Sequence, residues 1–301
     1  MSSLALAIRE PRGRLRRRAV DFLALTKPRV VLMVLVTASV GFYMASPVPP
    51  NLRLLVHTLL GVALAAGGTL ALNQYLERDV DAKMARTRHR PLPDGRLRPE
   101  EALGFGLGMS ATGMGYLAVA VNPSSALVTG LTTASYLFVY TPLKRRSVLC
   151  TVLGAVPGAL PPVAGWAAAR GEFASGAWVL FGILFVWQLP HALAIASVYR
   201  SAYVCAGLRF TPIVDPGGGG TARQVLLDCL ALLAVGLLPT LVGMAGPLYF
   251  LGALVLGVGM LVFGLSLAVT RSVANARRLV YASLVYLPSL LFLMAIDRIP
   301  L

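Results

Sequence analysis

A polar helix face is predicted within NQYLERDVDAKMARTRHR, residues 73–90, where Asn73, Glu77 and Asp81 recur at every fourth position. A helix turns by about 100° per residue, so side chains four apart lie on one face. Amide and carboxylate oxygens are ligands that Mg²⁺ accepts, usually together with phosphate oxygens of a substrate. The spacing therefore predicts either a magnesium site for a phosphorylated substrate or a network of structural ion pairs.

Cations also follow these polar residues in the sequence. Arg86 and Arg90 follow the acids directly, and Lys144 and Arg145 stand in a later polar stretch, YTPLKRRS. Arginine binds phosphate oxygens through two parallel hydrogen bonds, so acids mixed with arginines suit a metal-bound phosphate better than mutual neutralisation alone. The alternative for each cation is that basic residues collect on the cytoplasmic side of any membrane protein.

Membrane helices must position these residues. The 301 residues are 57% hydrophobic and 13% charged, with a mean hydropathy of +0.75, which is too apolar for a soluble domain. Apolar blocks long enough to cross a hydrocarbon layer of ~30 Å as helices predict nine spans. They cover residues 30–46, 54–73, 102–121, 125–141, 148–168, 174–198, 224–244, 247–269 and 279–296.

The net charge of +15 is distributed unevenly. Of the 27 basic residues, 24 lie on one side of the predicted membrane, and only Arg53, Arg170 and Arg298 lie on the other. By the positive-inside rule, the N-terminus is predicted in the cytoplasm and the C-terminus outside. We expect a multi-pass protein of a bacterial-type cytoplasmic (inner) membrane. The excess charge is therefore a topology signal, and nucleic-acid binding is excluded. We expect a basic arm at 1–21 and one domain at 22–301.

Polar side chains interrupt the sixth predicted span. Gln188 and His191 are three residues apart and so are neighbours on one helix face, with His191 roughly 12 Å from the cytoplasmic end. Polar groups at that depth are costly and usually face a cavity. An interhelical hydrogen bond is the alternative for a single membrane histidine. Aromatic residues such as Tyr136 are interpreted as packing.

Six ordered blocks resemble the UbiA superfamily of intramembrane prenyltransferases, and within it the protohaem IX farnesyltransferases (haem O synthases). The resemblance covers nearly the whole chain from about residue 22. The blocks are NQYLERDVDAKMARTRHRPLP, LTKPRV, YTPLKRRS, GAVPGALPPVAGW, WQLPHALA and NARRLVYASLVYLP.

This resemblance implies an all-α membrane fold of about nine transmembrane helices around a central cavity open to a cytoplasmic cap. It implies transfer of the farnesyl group of farnesyl diphosphate to a vinyl group of haem B, with addition of water, giving haem O for terminal oxidases. The lipid bilayer surrounds the bundle, and haem A synthase or oxidase assembly factors are expected partners.

The resemblance also assigns roles to residues. Mg²⁺ bound with the diphosphate is expected on Asn73, Glu77 and Asp81, and Lys144 and Arg145 are expected to neutralise the diphosphate. The side chains expected to contact the substrates are Gln188, His191, Tyr199, Arg86 and Arg90. For His191, the resemblance adds two hypotheses that stand beside the interhelical hydrogen bond. One is an axial contact with the haem iron, and the other is a role in handling protons and water.

One departure from the family pattern concerns an acid. After the sixth span the family reads like YKxDYxxAG, whereas this chain reads YRSAYVCAG and has Ala202 at the aspartate position. Three outcomes are open: the first motif suffices, Asp215 replaces the missing ligand, or catalysis is lost. We expect weakened metal binding with activity retained. The alternatives are a UbiA-type enzyme with another aromatic acceptor and a non-catalytic haem-binding or oxidase-assembly homologue.

Overall fold

The computed structural model describes residues 15–300, so the first part of the predicted basic arm, residues 1–14, lies outside the described residues. The described part contains nine helices long and apolar enough to cross a membrane, which confirms the predicted fold class. We label them α1 to α9. Their bounds are Pro28–Ala45, Leu52–Asp81, Pro99–Ala120, Pro123–Leu143, Cys150–Arg170, Ser175–Val198, Gly219–Leu241, Pro247–Thr270 and Val273–Ile296.

Shorter helices lie at one end of the bundle. One covers residues 15–25 and crosses the predicted arm boundary at residue 21, and two others, Arg200–Cys205 and Thr211–Val214, lie between α6 and α7. The polar segment 82–98 follows α2 at the same end. We call this the basic end, because it carries the cations at 78–98, 144–146 and 200–223. The basic end is therefore where the polar chain is elaborated.

The helix starts follow local rules. Proline stands at the first position of four spans, where its missing N–H costs no hydrogen bond, and these residues are Pro28, Pro99, Pro123 and Pro247. The Asn51 side chain accepts a hydrogen bond from Leu54 N at 3.0 Å and so caps α2. The starts of these helices are thus specified by residues at or next to the first helical position.

Helix α2 is much longer than the membrane is thick. Its 30 residues rise about 45 Å, against a hydrocarbon layer of ~30 Å. The last turns therefore extend beyond the apolar layer and carry Asn73, Glu77 and Asp81 with them. This confirms that the second span continues as a helix past the membrane edge. Asp79 lies on a different, exposed face.

Two spans are irregular where they face each other. Helix α4 contains a π-helical segment, Ser135–Tyr140, and α5 is broken at Leu160 between the helices Cys150–Ala159 and Pro161–Arg170. Proline lacks the backbone N–H that an α-helix needs, which explains the break in α5 before Pro161. A π-helical segment changes which side chains of α4 face the interior. These irregular turns line the interior cavity described below.

A candidate active site at the basic end

A polar cavity of about 200 Å³ lies at the basic end, between the start of α1 and the ends of α2 and α4. We call it the mouth cavity. All three predicted magnesium ligands and four cations line it, together with Tyr136, Tyr140 and Tyr203. The ligands are Asn73, Glu77 and Asp81, and the cations are Lys27, Arg86, Arg90 and Lys144. The structure thus brings the first motif and three of the four predicted motif and loop cations together.

Each predicted ligand side chain accepts a hydrogen bond from one cation. The pairs are Lys27 Nζ to Asn73 Oδ1 at 3.0 Å, Lys144 Nζ to Glu77 Oε1 at 2.8 Å, and Arg90 Nη1 to Asp81 Oδ2 at 2.6 Å. The Asp81 side chain is only 4% exposed, and that of Glu77 is 14% exposed. Charges held at this depth are costly unless paired, so the pairing accounts for how the protein holds these carboxylates in the cavity wall.

Lys27 was not singled out from the sequence, although it stands in the LTKPRV block. It is in the left-handed region, with φ 48°, between the helix at 15–25 and α1. Burial lowers its pKa to about 7, and repulsion from Arg90 and Lys144 acts in the same direction. Burial opposes the charge of Lys144 as well, but Tyr140 and the Glu77 carboxylate beside it raise the pKa of Lys144.

The donor set fits a magnesium ion only in company with a substrate anion. No group of three or more His, Cys, Asp or Glu side chains within residues 15–300 is arranged to hold a metal alone. Asn73, Glu77 and Asp81 supply one amide and two carboxylates, and Mg²⁺ keeps part of its shell for phosphate oxygens or water. Four cations against two carboxylates leave the mouth cavity with excess positive charge, which an oligophosphate would balance.

An apolar cavity of about 260 Å³ adjoins the mouth cavity. We call it the apolar cavity. Tyr136 and Tyr140 line both cavities, so they form the neck between them. The Lys144 Nζ atom lies 4.2 Å from the centroid of the Tyr140 ring, a cation–π contact. Tyr136 is therefore more than packing, and only the tertiary structure identifies this role.

Four threonines line the apolar cavity without making it polar. Each hydroxyl lies within hydrogen-bonding distance of a carbonyl of its own helix, and the Thr69 and Thr133 hydroxyls also contact each other at 2.8 Å, so these polar groups have partners within the protein. These bonds run from Thr69 to Ala65, Thr129 to Ser125, Thr132 to Val128 and Thr133 to Thr129. The wall therefore suits a hydrocarbon chain.

Gln188 lines the apolar cavity, as the sequence predicts for a polar residue in a span. Its Nε2 donates to Leu184 O at 2.8 Å. A side chain at Gly158 would place Cβ 1.9 Å from Gln188 Oε1, so glycine is required for this amide to pack against α5. The Gln188 amide is thus fixed by its neighbours.

The other predicted contact residues lie at different distances from the cavities. Arg86 lines the mouth cavity and lies 5.0 Å over the ring of Tyr199, which is itself 40% exposed and does not line either cavity. Arg145 is exposed and also lines neither cavity, although it follows Lys144 directly. Lys144 and Arg145 therefore differ in position, although the sequence predicts the same role for both.

His191 lies on the face of α6 that packs against α9. Its Nδ1 is 2.6 Å from Ser283 Oγ, and its ring stacks on Trp187 at 5.0 Å between centroids. The Trp187 indole N–H donates to Ser283 O at 2.9 Å. His191 lines neither cavity, so the structure supplies the interhelical hydrogen bond. Nε2 has no hydrogen-bond partner within residues 15–300, and an iron contact stays a prediction.

The segment after α6 does not bring an acid to the mouth cavity. Ala202 and Asp215 do not line the mouth cavity. The Asp215 carboxylate accepts hydrogen bonds from Thr221 N at 2.7 Å and Gly218 N at 3.1 Å, at the start of α7. These bonds, the one from Thr221 first, lower the pKa of Asp215. Asp215 therefore binds the first turn of α7 in this structure.

Known proteins resemble this chain in sequence and in structure. Residues 34–294 match the UbiA prenyltransferase family. The protoheme IX farnesyltransferase of Solibacter usitatus is 45% identical over 92% of this chain and 98% of its own length. The protoheme IX farnesyltransferase of Koribacter versatilis is 41% identical over 99% of both chains.

Solved structures share the fold at low sequence identity. A UbiA homolog from Archaeoglobus fulgidus bound to DMAPP and Mg²⁺ superposes with a TM-score of 0.67 at 18% identity, over 92% of this chain and 99% of that one. A UbiA homolog from Aeropyrum pernix gives a TM-score of 0.70 at 19% identity, over 88% and 96%. With its extensive sequence match, this chain belongs to the UbiA prenyltransferase family.

Proposed function

We propose that this protein transfers the farnesyl group of farnesyl diphosphate to a vinyl group of haem B, with addition of water, to give haem O. The observation that carries the proposal is the cation-rich mouth cavity joined to an apolar cavity through Tyr136 and Tyr140. A prenyl diphosphate has the same division into an anionic head and a hydrocarbon chain. The acceptor follows from the relatives, which are protoheme IX farnesyltransferases over almost their whole length.

The diphosphate would enter the mouth cavity by exchanging partners. Glu77 and Asp81 release Lys144 and Arg90, and these cations turn to the phosphate oxygens, for which arginine offers bidentate hydrogen bonds. Asn73, Glu77 and Asp81 would then be free to hold Mg²⁺ together with the diphosphate. When bound, Mg²⁺ supplies charge neutralisation for the departing diphosphate. Lys27 and Arg86 complete the ring of cations.

The farnesyl chain would occupy the apolar cavity, which excludes bulk water. As the bond between C1 and the diphosphate oxygen breaks, the electron pair leaves with the diphosphate, and the mouth cations stabilise its charge. The haem vinyl group donates its π electrons to C1 and forms the new carbon–carbon bond. Water then captures the porphyrin-stabilised cation and loses a proton, which gives the hydroxyethyl group.

Gln188 and His191 are the residues that we assign to the acceptor, haem B. Gln188 supplies an amide side chain to the wall of the apolar cavity. For His191, the bond to Ser283 fixes the ring through Nδ1 and leaves Nε2 for a haem contact, the arrangement common for iron-binding histidines. For this reason we propose that His191 contacts the haem through Nε2.

The protein is a multi-pass membrane protein, and we propose that its basic end faces the cytoplasm of a bacterial-type inner membrane. The excess of Lys and Arg at that end supports this orientation. It also places the mouth cavity where a water-soluble diphosphate head group can enter. The C-terminal residue of α9, Ile296, is then at the outer side.

Purified protein in detergent, incubated with haem B, farnesyl diphosphate and Mg²⁺, tests the proposal by mass spectrometry of the haem. Farnesyl transfer should appear as a haem with one added farnesyl group and one added hydroxyl group, and should disappear when Mg²⁺ is chelated. Transfer to a quinone or chlorin but not to haem would support another acceptor. Absence of transfer to every acceptor, with haem still bound, would support the non-catalytic alternative that Ala202 raises.

A further inference from the structure

The apolar cavity follows α2 from the neck towards the opposite end of the bundle. Along this helix the lining residues are Leu70, Thr69, Ala66 and Val62 in order of increasing depth, starting below Asn73 in the mouth. From Asn73 to Val62 the helix rises roughly 16 Å over eleven residues. A farnesyl chain, with about twelve carbons in line, extends roughly 14 Å at ordinary bond lengths. The cavity depth and this chain length agree.

The far end of the apolar cavity is closed by closely packed helices. A Cβ at Gly165 would lie 1.9 Å from Ala38 O, and a Cβ at Gly41 would lie 2.0 Å from Pro162 O, so the backbones of α1 and α5 are in contact there. Ala38 is fully buried. Side chains cannot move aside where backbones touch, so this end resists deformation.

Hydrogen bonds hold a third helix against the same place. Ser125 Oγ of α4 donates to Ala164 O of α5 at 3.0 Å, and Asn122 Nδ2 donates to Ala167 O at 2.9 Å. Ala164 lines the apolar cavity and is 2% exposed. Val62 is 3% exposed and lies against Ala38 in a small buried cluster. Val62 and Ala164 therefore form a firm floor.

We propose that this floor limits the length of prenyl chain that the protein binds, with Val62 as the residue that sets the limit and Ala66 as the position one turn nearer the mouth. The proposal rests on the proposed function only in taking a prenyl diphosphate as the ligand of the mouth cavity. A chain with one more isoprene unit meets Val62 while its diphosphate is still outside its binding position. A shorter chain leaves part of the cavity unfilled.

The test measures dissociation constants of geranyl, farnesyl and geranylgeranyl diphosphate for the purified protein with Mg²⁺ and without haem. The wild type should bind farnesyl diphosphate about tenfold or more tightly than geranylgeranyl diphosphate, the order of selectivity expected from apolar pockets. Val62→Ala should narrow this ratio about tenfold. Ala66→Phe, which fills the cavity one turn higher, should weaken farnesyl binding about tenfold relative to geranyl binding.

Val128→Ala is the matched control. Val128 is also 3% exposed, but it lies in the main buried core and does not line the apolar cavity. It should lower thermal stability as Val62→Ala does and leave the ratio of affinities within about twofold. The proposal is overturned if the wild type does not distinguish the two longer chains, or if Val128→Ala shifts the ratio as much as Val62→Ala.

The haem assay separates this proposal from the proposed function. If haem is not farnesylated but Val62→Ala still changes the order of prenyl affinities, the function proposal fails and the length limit stands. If haem is farnesylated while the three chain lengths bind equally well to every variant, the length limit fails and the function proposal stands.

Discussion

The two ends of the bundle use charged side chains differently. At the basic end, Lys144 pairs with the Glu77 side chain beside a cavity. At the opposite end, Arg170 Nε donates to Ala45 O at 2.9 Å, and the guanidinium of Arg298 donates to Ser46 O. Both arginines thus bind the carbonyl end of α1, where the helix dipole favours positive charge.

The difference separates binding from structural roles. A cation paired with a carboxylate next to free volume can change partner when an anion arrives, since both groups are side chains and both can rotate. A cation bound to helix carbonyls has a fixed partner and closes the end of the bundle. Arg170 and Arg298 are bound to helix carbonyls in this way. They are two of the three basic residues that the positive-inside rule assigns to the outer side.

The largest effect should come from the Glu77 carboxylate. Glu77→Gln keeps the shape of the side chain but removes the charge offered to magnesium, so kcat/KM should fall by at least about a thousandfold, ~4 kcal/mol. Asp79→Asn is the control, because Asp79 is exposed on another face of α2, and should change activity less than about twofold. Steady-state farnesyl transfer checks this. Normal turnover by Glu77→Gln would refute the metal assignment.

Lys144 and Arg145 offer a sharper comparison within one loop. Lys144→Gln should lower kcat/KM for farnesyl diphosphate about a hundredfold, because a cation that meets the diphosphate is lost. Arg145→Gln should stay within about twofold, since Arg145 is exposed and lines neither cavity. Thermal unfolding in detergent shows whether either variant is misfolded. Equal losses would mean that net charge, and not position, matters.

His191 lies outside both cavities, so a substitution of His191 tests whether the active site extends beyond them. His191→Ala should lower kcat/KM for haem about tenfold while the affinity for farnesyl diphosphate is unchanged. Ser283→Ala removes the same hydrogen bond, 2.6 Å long, but keeps the imidazole, and should cost no more than about threefold. Kinetics with haem varied and binding of farnesyl diphosphate separate the two. Equal effects of both variants would make the hydrogen bond the whole role.

The smallest effect on activity should come from the opposite end. Arg170→Gln should lower the free energy of unfolding by about 1 kcal/mol, because one charged hydrogen bond to Ala45 O and its interaction with the helix dipole are lost. Turnover at low temperature should remain within about twofold of the wild type. Thermal unfolding together with activity at low temperature measures both. A loss of catalysis at full stability would contradict the division between the two ends.

The amino-acid sequence alone determined the membrane character, the number of spans, and the face shared by Asn73, Glu77 and Asp81. These features are local: apolar length specifies a span, and the helical repeat specifies which side chains share a face. They depend on neighbours along one helix, so they hold whatever the other helices do. The capping of α2 by Asn51 is of the same kind.

Only the tertiary structure decided that Lys27 meets Asn73 and that Lys144 meets Glu77. Lys27 and Lys144 come from residues 46 and 67 positions away from their partners Asn73 and Glu77, and nothing in their local sequence separates Lys144 from Arg145. The neck at Tyr136 likewise depends on where α4 and α5 pack. Contacts between distant segments result from the packing of whole helices, so spacing along the chain cannot specify them.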